Sequence, residues 1–194
     1  MKTGTKHFYK YRNLKDFKRF MDIIVNHRLY ATVYSNLNDP MEGTFLANAS
    51  SSSVLRHLST KKNKICICSL SKDHTNTLLW SHYADGHKGC CIEVSPMDYN
   101  GMVTMKYDGK IPCVKSNDDY KSILSCKGTY WEYEQEVRFL RKAHYLNVRI
   151  HKIYFGVNVS TKDYKFYKKV IAAIDDKIEV VQMSEKDINT GFHI

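Results

Sequence analysis

The sequence predicts an α+β fold, in a single domain of mixed or antiparallel sheets with flanking helices. Short runs with the alternating or apolar character of strands outnumber the helical patterns. Several neighbouring runs are hairpin-like, and no internal repeat occurs. The 194 residues include no Pro/Gly/Ser-rich linker, so we expect one domain over residues 1–194.

The N-terminal part alternates strands and helices. Residues 7–11 alternate as a short strand, and Asn13 is placed to cap a following amphipathic helix. A second strand is predicted over residues 28–34 and a turn-rich loop over 36–43. A short helix is expected after the serine run at 50–53. The apolar stripe of the first helix comprises Leu14, Phe17, Phe20, Met21, Ile24 and Val25.

The remaining patterns continue this alternation. Residues 64–70 read as a buried strand, and residues 77–83 as a helix. A strand over 89–94 is expected to form a hairpin with one over 102–107. Further elements are a helix over 118–126, strands over 134–140 and 150–156, a helix over 163–174 and a strand over 178–183.

Composition limits the function classes. The formal net charge is +10, the pI is near 9.2 and mean hydropathy is −0.47. Such a basic surface favours a nucleic acid, a nucleotide or another polyanion as partner. No run is long enough to span a bilayer, and no apolar stretch follows the basic N-terminus, so we expect a cytoplasmic protein without membrane association.

The six cysteines indicate free, mostly buried thiols. The alternative is a zinc site from Cys66/Cys68 with Cys90/Cys91 or His82/His87. The spacing of these residues matches no standard zinc pattern, so we predict no metal site.

Two tryptophans stand among polar residues, which is typical of a pocket wall. Trp131 precedes a predicted strand on which Glu134, Glu136 and Arg138 share one face. Paired carboxylates beside a cation suit acid/base chemistry or stabilisation of a cationic sugar. The alternative is a charged strand facing solvent with an internal ion pair.

Trp80 opens the second polar segment. His82 and His87 are candidates for a base or a ligand-orienting group, with Ser81 and Tyr83 beside them. A structural role for these histidines is the alternative.

Two further segments carry polar or aromatic groups. Asn38, Asp39 and Glu42 either form turns or bind a ribose. Tyr9 and Tyr11 share a strand face next to Arg12, which indicates packing or a stacking surface. No Walker loop, dinucleotide fingerprint, nucleophile elbow or HExxH helix occurs, so those classes are excluded.

Taken in chain order, these segments resemble a widespread bacterial and phage domain of unknown function. The resemblance covers roughly residues 8–156. Its motifs are Asn-Asp-Pro-Met-Glu at 38–42, Trp-Ser-His-Tyr-Ala-Asp at 80–85 with His87 and Gly89, and Trp131 with the segment through Arg138. The family typically has Phe where this chain has Leu37 and Met41.

The layout is also similar, more distantly, to that of ADP-ribosyltransferases. This resemblance implies NAD as the substrate nucleotide and a nucleic acid or protein as acceptor, in a toxin or phage-defence setting. It implies that Tyr11 or Arg12 holds the NAD ribose, that Tyr83 or Trp80 stacks on nicotinamide, and that Glu136 or Glu134 orients the ribose. Arg12 or Arg138 would pair with the pyrophosphate.

Two other functions remain open. One is a nucleic-acid hydrolase that uses His82 and the Glu134/Glu136 pair with a divalent metal. The other is a non-catalytic module that binds a nucleotide or polyanion. The sequence predicts no oligomeric state.

Overall fold

The computed structural model describes residues 6–47, 52–114 and 120–188. The predicted α+β class, with mainly antiparallel pairing and flanking helices, is confirmed. The described elements, in chain order, are β1 (Phe8–Arg12), α1 (Phe17–Asn26), β2 (Arg28–Tyr30), β3 (Thr32–Val33), β4 (Leu46–Ala47), α2 (Ser52–Asn63), β5 (Cys66–Ser71), α3 (Thr77–Tyr83), β6 (Cys90–Pro96), β7 (Met102–Thr104), β8 (Cys113–Val114), α4 (Tyr120–Leu124), β9 (Glu136–Arg141), β10 (Tyr145–Phe155), α5 (Thr161–Ile174) and β11 (Glu179–Gln182). Short 3₁₀ helices cover Tyr34–Asn36, Thr129–Glu134 and Glu185–Asp187.

The chain divides into two compact units, each assembled from separate stretches of sequence. Unit 1 comprises Met1–Leu29, Leu70–Met97 and Asn147–Ile194. Unit 2 comprises Tyr30–Ser69 and Asp98–Leu146. The single domain over residues 1–194 stays a prediction.

In unit 1, strands neighbour one another in the order β11, β10, β6, β1. The β1/β6 and β6/β10 pairs are antiparallel, and β10/β11 is parallel. A β-bulge shifts the register of β10 against β6 between Ile150 and Lys152. Helix α1 buries Phe20, Ile23 and Ile24, whereas Phe17 and Val25 of the predicted stripe are exposed, so that stripe is only partly correct.

In unit 2, β3 pairs with β5, and β7 pairs with β9, both antiparallel. The short β4 and β8 pair in parallel. One core cluster contains Ile65, Ile67, Leu124 and Leu140. Leu58 of α2 and Ile123 of α4 form a second cluster.

Three local predictions are wrong. Helix α1 begins at Phe17 and is capped by Asp16, whose Oδ1 accepts from the Arg19 N–H at 3.0 Å, so Asn13 is not the cap. Strand β7 pairs with β9 and not with β6, so the expected hairpin does not form. Strand β9 begins at Glu136, because Glu134 ends a 3₁₀ helix and Gln135 turns the chain with a φ of 45°.

The Trp80 segment forms α3 and a left-handed turn. Asp85, Gly86 and His87 all have positive φ, between 52° and 65°. A Cβ on Gly89 would lie 2.2 Å from the Arg12 carbonyl oxygen, and one on Gly156 would lie 2.1 Å from that of His87. The two glycines therefore permit close backbone packing within unit 1.

Among the described residues the cysteine thiols are free, as the sequence predicts. Cys66, Cys68, Cys90 and Cys91 are buried, whereas Cys113 is exposed. In the same part of the chain, no group of His, Cys, Asp and Glu is arranged to hold a metal ion. No described helix has the length and apolar character needed to cross a bilayer.

Candidate functional site

The residues predicted to form the site are divided between the two units. Those in unit 2 are Asn38, Asp39, Glu42, Glu134, Glu136 and Arg138. Those in unit 1 are Tyr9, Tyr11, Arg12, Trp80, Ser81, His82, Tyr83 and His87.

A buried ionic cluster lies in unit 2. It comprises Glu42, Lys127, Glu134, Glu136 and Arg138. Arg138 holds Glu42 with two hydrogen bonds, Nη2 to Oε1 at 2.5 Å and Nη1 to Oε2 at 2.8 Å. It also donates from Nε to Glu136 Oε1 at 2.7 Å and from Nη1 to the Leu124 carbonyl at 2.9 Å. Lys127 Nζ donates to Glu134 Oε2 at 2.5 Å and to Glu136 Oε2 at 3.4 Å.

The cluster has nearly no contact with solvent, since each of its side chains is at most 7% exposed. Burial raises the pKa of Glu136, but Arg138 and Lys127 outweigh burial and hold that pKa at about 2. Burial lowers the pKa of Arg138, but its carboxylate partners outweigh burial and raise that pKa above its ordinary value. All this favours a structural role in unit 2, and the catalytic roles of Glu134, Glu136 and Arg138 stay predictions.

Lys127 is the member of this cluster that sequence reasoning missed. It precedes Gly128 in a loop where no periodic pattern marks it. Its Nζ also lies 4.6 Å from the centre of the Trp131 ring, so Trp131 covers the cluster through a cation–π contact. The polar sequence around Trp131 therefore indicates contact with the buried Lys127 cation.

The Asn-Asp-Pro segment builds a turn, with Asn38 exposed. The Met41 N–H donates to Asp39 Oδ1 at 2.9 Å, a common role for an aspartate in a turn. Glu42, predicted to bind a cofactor, instead is buried and pairs with Arg138.

In unit 1, Trp80 is a core residue. Its side chain is fully buried, and its Nε1–H donates to the His74 carbonyl at 2.8 Å. The Tyr11 ring meets it edge-on at 5.3 Å, and the His87 ring lies parallel at 5.9 Å. Burial lowers the pKa of His87. This geometry favours packing over ligand contact for these three rings.

The other residues of the first two motifs are more exposed. Ser81 donates its hydroxyl to the Thr77 carbonyl at 2.8 Å, and His82 is exposed beside the half-buried Tyr83. Arg12 lines a small cleft of about 80 Å³ together with Arg19.

A second cluster in unit 1 is better placed to meet a ligand. We call it the polar–aromatic face, and its members are His7, Tyr9, His74, Glu93, His151 and Tyr154. Strand register brings its strand residues together, because Tyr9 lies opposite Glu93 on β6, and Glu93 lies opposite Lys152 on β10. His7 precedes β1, and His74 lies between β5 and α3. Residues two apart on these strands share that face.

Stacked rings cover much of the polar–aromatic face. His74 stacks on Tyr9 at 4.8 Å and lies 4.6 Å from the Tyr154 ring. His7 stacks on His151 at 4.5 Å with the planes 10° apart. Tyr9, His74 and His151 are half-buried, so their rings remain partly open to solvent.

Glu93 is the carboxylate of this face. It accepts a hydrogen bond from Tyr154 Oη at 2.8 Å and contacts His7 Nδ1. Burial raises the pKa of Glu93, but its hydrogen bonds from His7 and Tyr154 outweigh burial and lower the pKa below its ordinary value. Burial lowers the pKa of His74 and of His151. At neutral pH the face therefore combines an ionised Glu93 carboxylate with the neutral imidazoles of His74 and His151.

The bulge in β10 explains how His151 reaches this face. Regular alternation would direct His151 away from the side that Lys152 occupies. Because the bulge adds one residue to β10 at this point, the His151 side chain lies on the same side as Lys152. The Nε2 atom of His151 lies 2.8 Å from the Ser95 hydroxyl. Of the six members, sequence reasoning singled out Tyr9 alone. The strands over 89–94 and 150–156 were predicted, but nothing in the sequence shows their register.

No family model, curated protein or solved structure matches this chain. The family resemblance and the ADP-ribosyltransferase-like layout therefore stay predictions.

Proposed function

We propose that the chain is an ADP-ribosyltransferase-like enzyme that binds NAD at the polar–aromatic face and modifies a nucleic acid or protein. One observation carries the proposal: the ionised Glu93 carboxylate lies beside the rings of Tyr9, His74 and Tyr154. The distant resemblance to ADP-ribosyltransferases supports it, and a toxin or phage-defence setting fits that resemblance.

The groups on this face match the chemical parts of NAD. Half-exposed Tyr9 and His74 provide flat rings on which a nicotinamide ring can stack. Lys152 provides a cation for phosphate oxygens. Its ion pair at 2.8 Å is with Glu179, whose side chain is 61% exposed, and such an exposed pair is weak enough to exchange for a phosphate.

Bound NAD would supply the nicotinamide–ribose bond that is cleaved and the ADP-ribosyl group that is transferred. Positive charge develops on the ribose as that bond breaks, and the Glu93 carboxylate stabilises it. Neutral His151 can accept the proton that the acceptor nucleophile loses. Tyr154 and His7 hold Glu93 in place.

These roles differ from those that the resemblance implies. The carboxylate role passes from Glu134 or Glu136 to Glu93, because the former two are held in ion pairs within the buried ionic cluster. The stacking role passes from Tyr83 or Trp80, of which Trp80 is fully buried, to Tyr9 and His74.

The test uses purified protein with NAD labelled in the adenylate, incubated separately with DNA, RNA and cell lysate. We expect nicotinamide release, transfer of label to one acceptor class, and no effect of a chelator. Metal-dependent cleavage of nucleic acid without NAD would contradict the proposal and identify the hydrolase. Saturable NAD binding without nicotinamide release would contradict the catalytic part and leave a binding module.

A further inference from the structure

Helices α1 and α5 of unit 1 carry a surface that the proposed function does not use. On the inner side of the pair, Phe20 of α1 lies edge-on to Tyr167 of α5 at 5.4 Å, and Ile171 is fully buried. Residues three, four and seven apart share a helix face, which places Lys162, Lys165, Phe166 and Lys169 together on the outer side of α5. All four are exposed.

Two aromatic rings lie unusually open on this surface. Phe166 is 52% exposed, and Phe17 at the start of α1 is 43% exposed. The centroids of the two rings are 6.3 Å apart, so the rings form one continuous aromatic patch. Lys18 is exposed next to Phe17. We call these six residues, Phe17, Lys18, Lys162, Lys165, Phe166 and Lys169, the basic aromatic face.

The lysines of this face are not held in ion pairs. Among the described residues, no carboxylate forms an ion pair with its four lysines. The nearby acidic side chains have other partners: Asp16 caps α1, Asp22 pairs with Arg28, and Asp163 accepts from the Ser160 hydroxyl. Four lysines without an ion pair to a described carboxylate, placed around two open rings, are suited to bind single strands, because phosphates need charge and unpaired bases need stacking surfaces.

We propose that the basic aromatic face binds single-stranded nucleic acid, with lysines on the phosphates and bases stacked on Phe17 and Phe166. An anionic membrane is the less suitable partner, because a membrane-bound helix inserts its apolar side. In α5 that side, with Tyr164, Tyr167 and Ile171, already packs inside unit 1. The inference does not depend on NAD chemistry.

The test measures fluorescence anisotropy of a labelled 20-nucleotide single strand at several salt concentrations. Four phosphate contacts predict a slope of about −2.8 in a plot of log affinity against log salt concentration. Binding should therefore be about 50-fold weaker at 200 mM than at 50 mM salt. Phe166→Ala should weaken binding about 5- to 150-fold and leave the slope unchanged, because stacking releases no counterions.

The charge variant is Lys165→Gln/Lys169→Gln, which should reduce the magnitude of the slope by about 1.4. Its matched control is Lys110→Gln/Lys121→Gln, which removes two exposed lysines of unit 2 and should leave binding unchanged. The proposal would be overturned if the control lost as much affinity as the charge variant. It would also be overturned if duplex bound as tightly as the single strand and Phe166→Ala had no effect. Phe166-dependent binding to anionic vesicles in place of the oligonucleotide would overturn it too.

Discussion

Replacing Arg138 by Met is expected to lower the free energy of unfolding by about 3–5 kcal/mol. The substitution keeps an unbranched side chain but removes the cation that pairs with both Glu42 and Glu136. Both carboxylates are at most 5% exposed, so water cannot replace the lost hydrogen bonds. Urea unfolding monitored by circular dichroism measures the change.

The matched control is Arg141→Met, on the same strand. Arg141 pairs with the more exposed Asp98 at 3.4 Å, so its loss should cost no more than about 1 kcal/mol. A second variant, Arg138→Lys, keeps the charge but cannot form the two-pronged contact with Glu42, and we expect it to recover only part of the stability. Equal stability of Arg138→Met and Arg141→Met would show that the cluster does not stabilise unit 2.

Glu93→Gln is expected to reduce the rate of nicotinamide release from NAD by at least about 100-fold, because the amide cannot stabilise positive charge on the ribose. The affinity for NAD should change little, since the stacking rings and Lys152 remain. Initial rates over a range of NAD concentrations separate the two effects.

The control for Glu93→Gln is Glu185→Gln, which removes an exposed carboxylate from a 3₁₀ helix of unit 1. It should keep wild-type rates. Thermal unfolding of both variants checks that the fold is intact. A Glu93→Gln protein that is folded and releases nicotinamide at the wild-type rate would remove Glu93 from the mechanism.

Local patterns predicted most of the elements. Helix α3 covers the predicted residues 77–83, and the stripe predicted for α1 includes the buried Phe20 and Ile24 together with the exposed Phe17 and Val25. The first and last residues of the helices and strands were less predictable. Asn13 and Asp16 are both good capping residues, and only the closed hydrogen bond to the Arg19 N–H distinguishes them.

The candidate sites depend on information that is absent from local sequence. The buried ionic cluster joins Glu42 to Arg138, which are 96 residues apart, and takes its second cation from the unmarked Lys127. The polar–aromatic face requires the register of β1, β6 and β10, and a bulge that reverses the direction of His151. Alternation within one strand cannot reveal either feature, because a one-residue shift exchanges the two faces.

The polar–aromatic face carries three of the nine histidines, which permits a direct test of NAD binding there. The measurement is an NMR titration of NAD into protein with labelled histidine rings, assigned by single His→Gln variants. We predict that NAD shifts the resonances of His7, His74 and His151 and leaves those of His57, His82 and His144 unchanged. Unchanged resonances at millimolar NAD, or shifts confined to the second set, would contradict the assignment of this face as the nucleotide site.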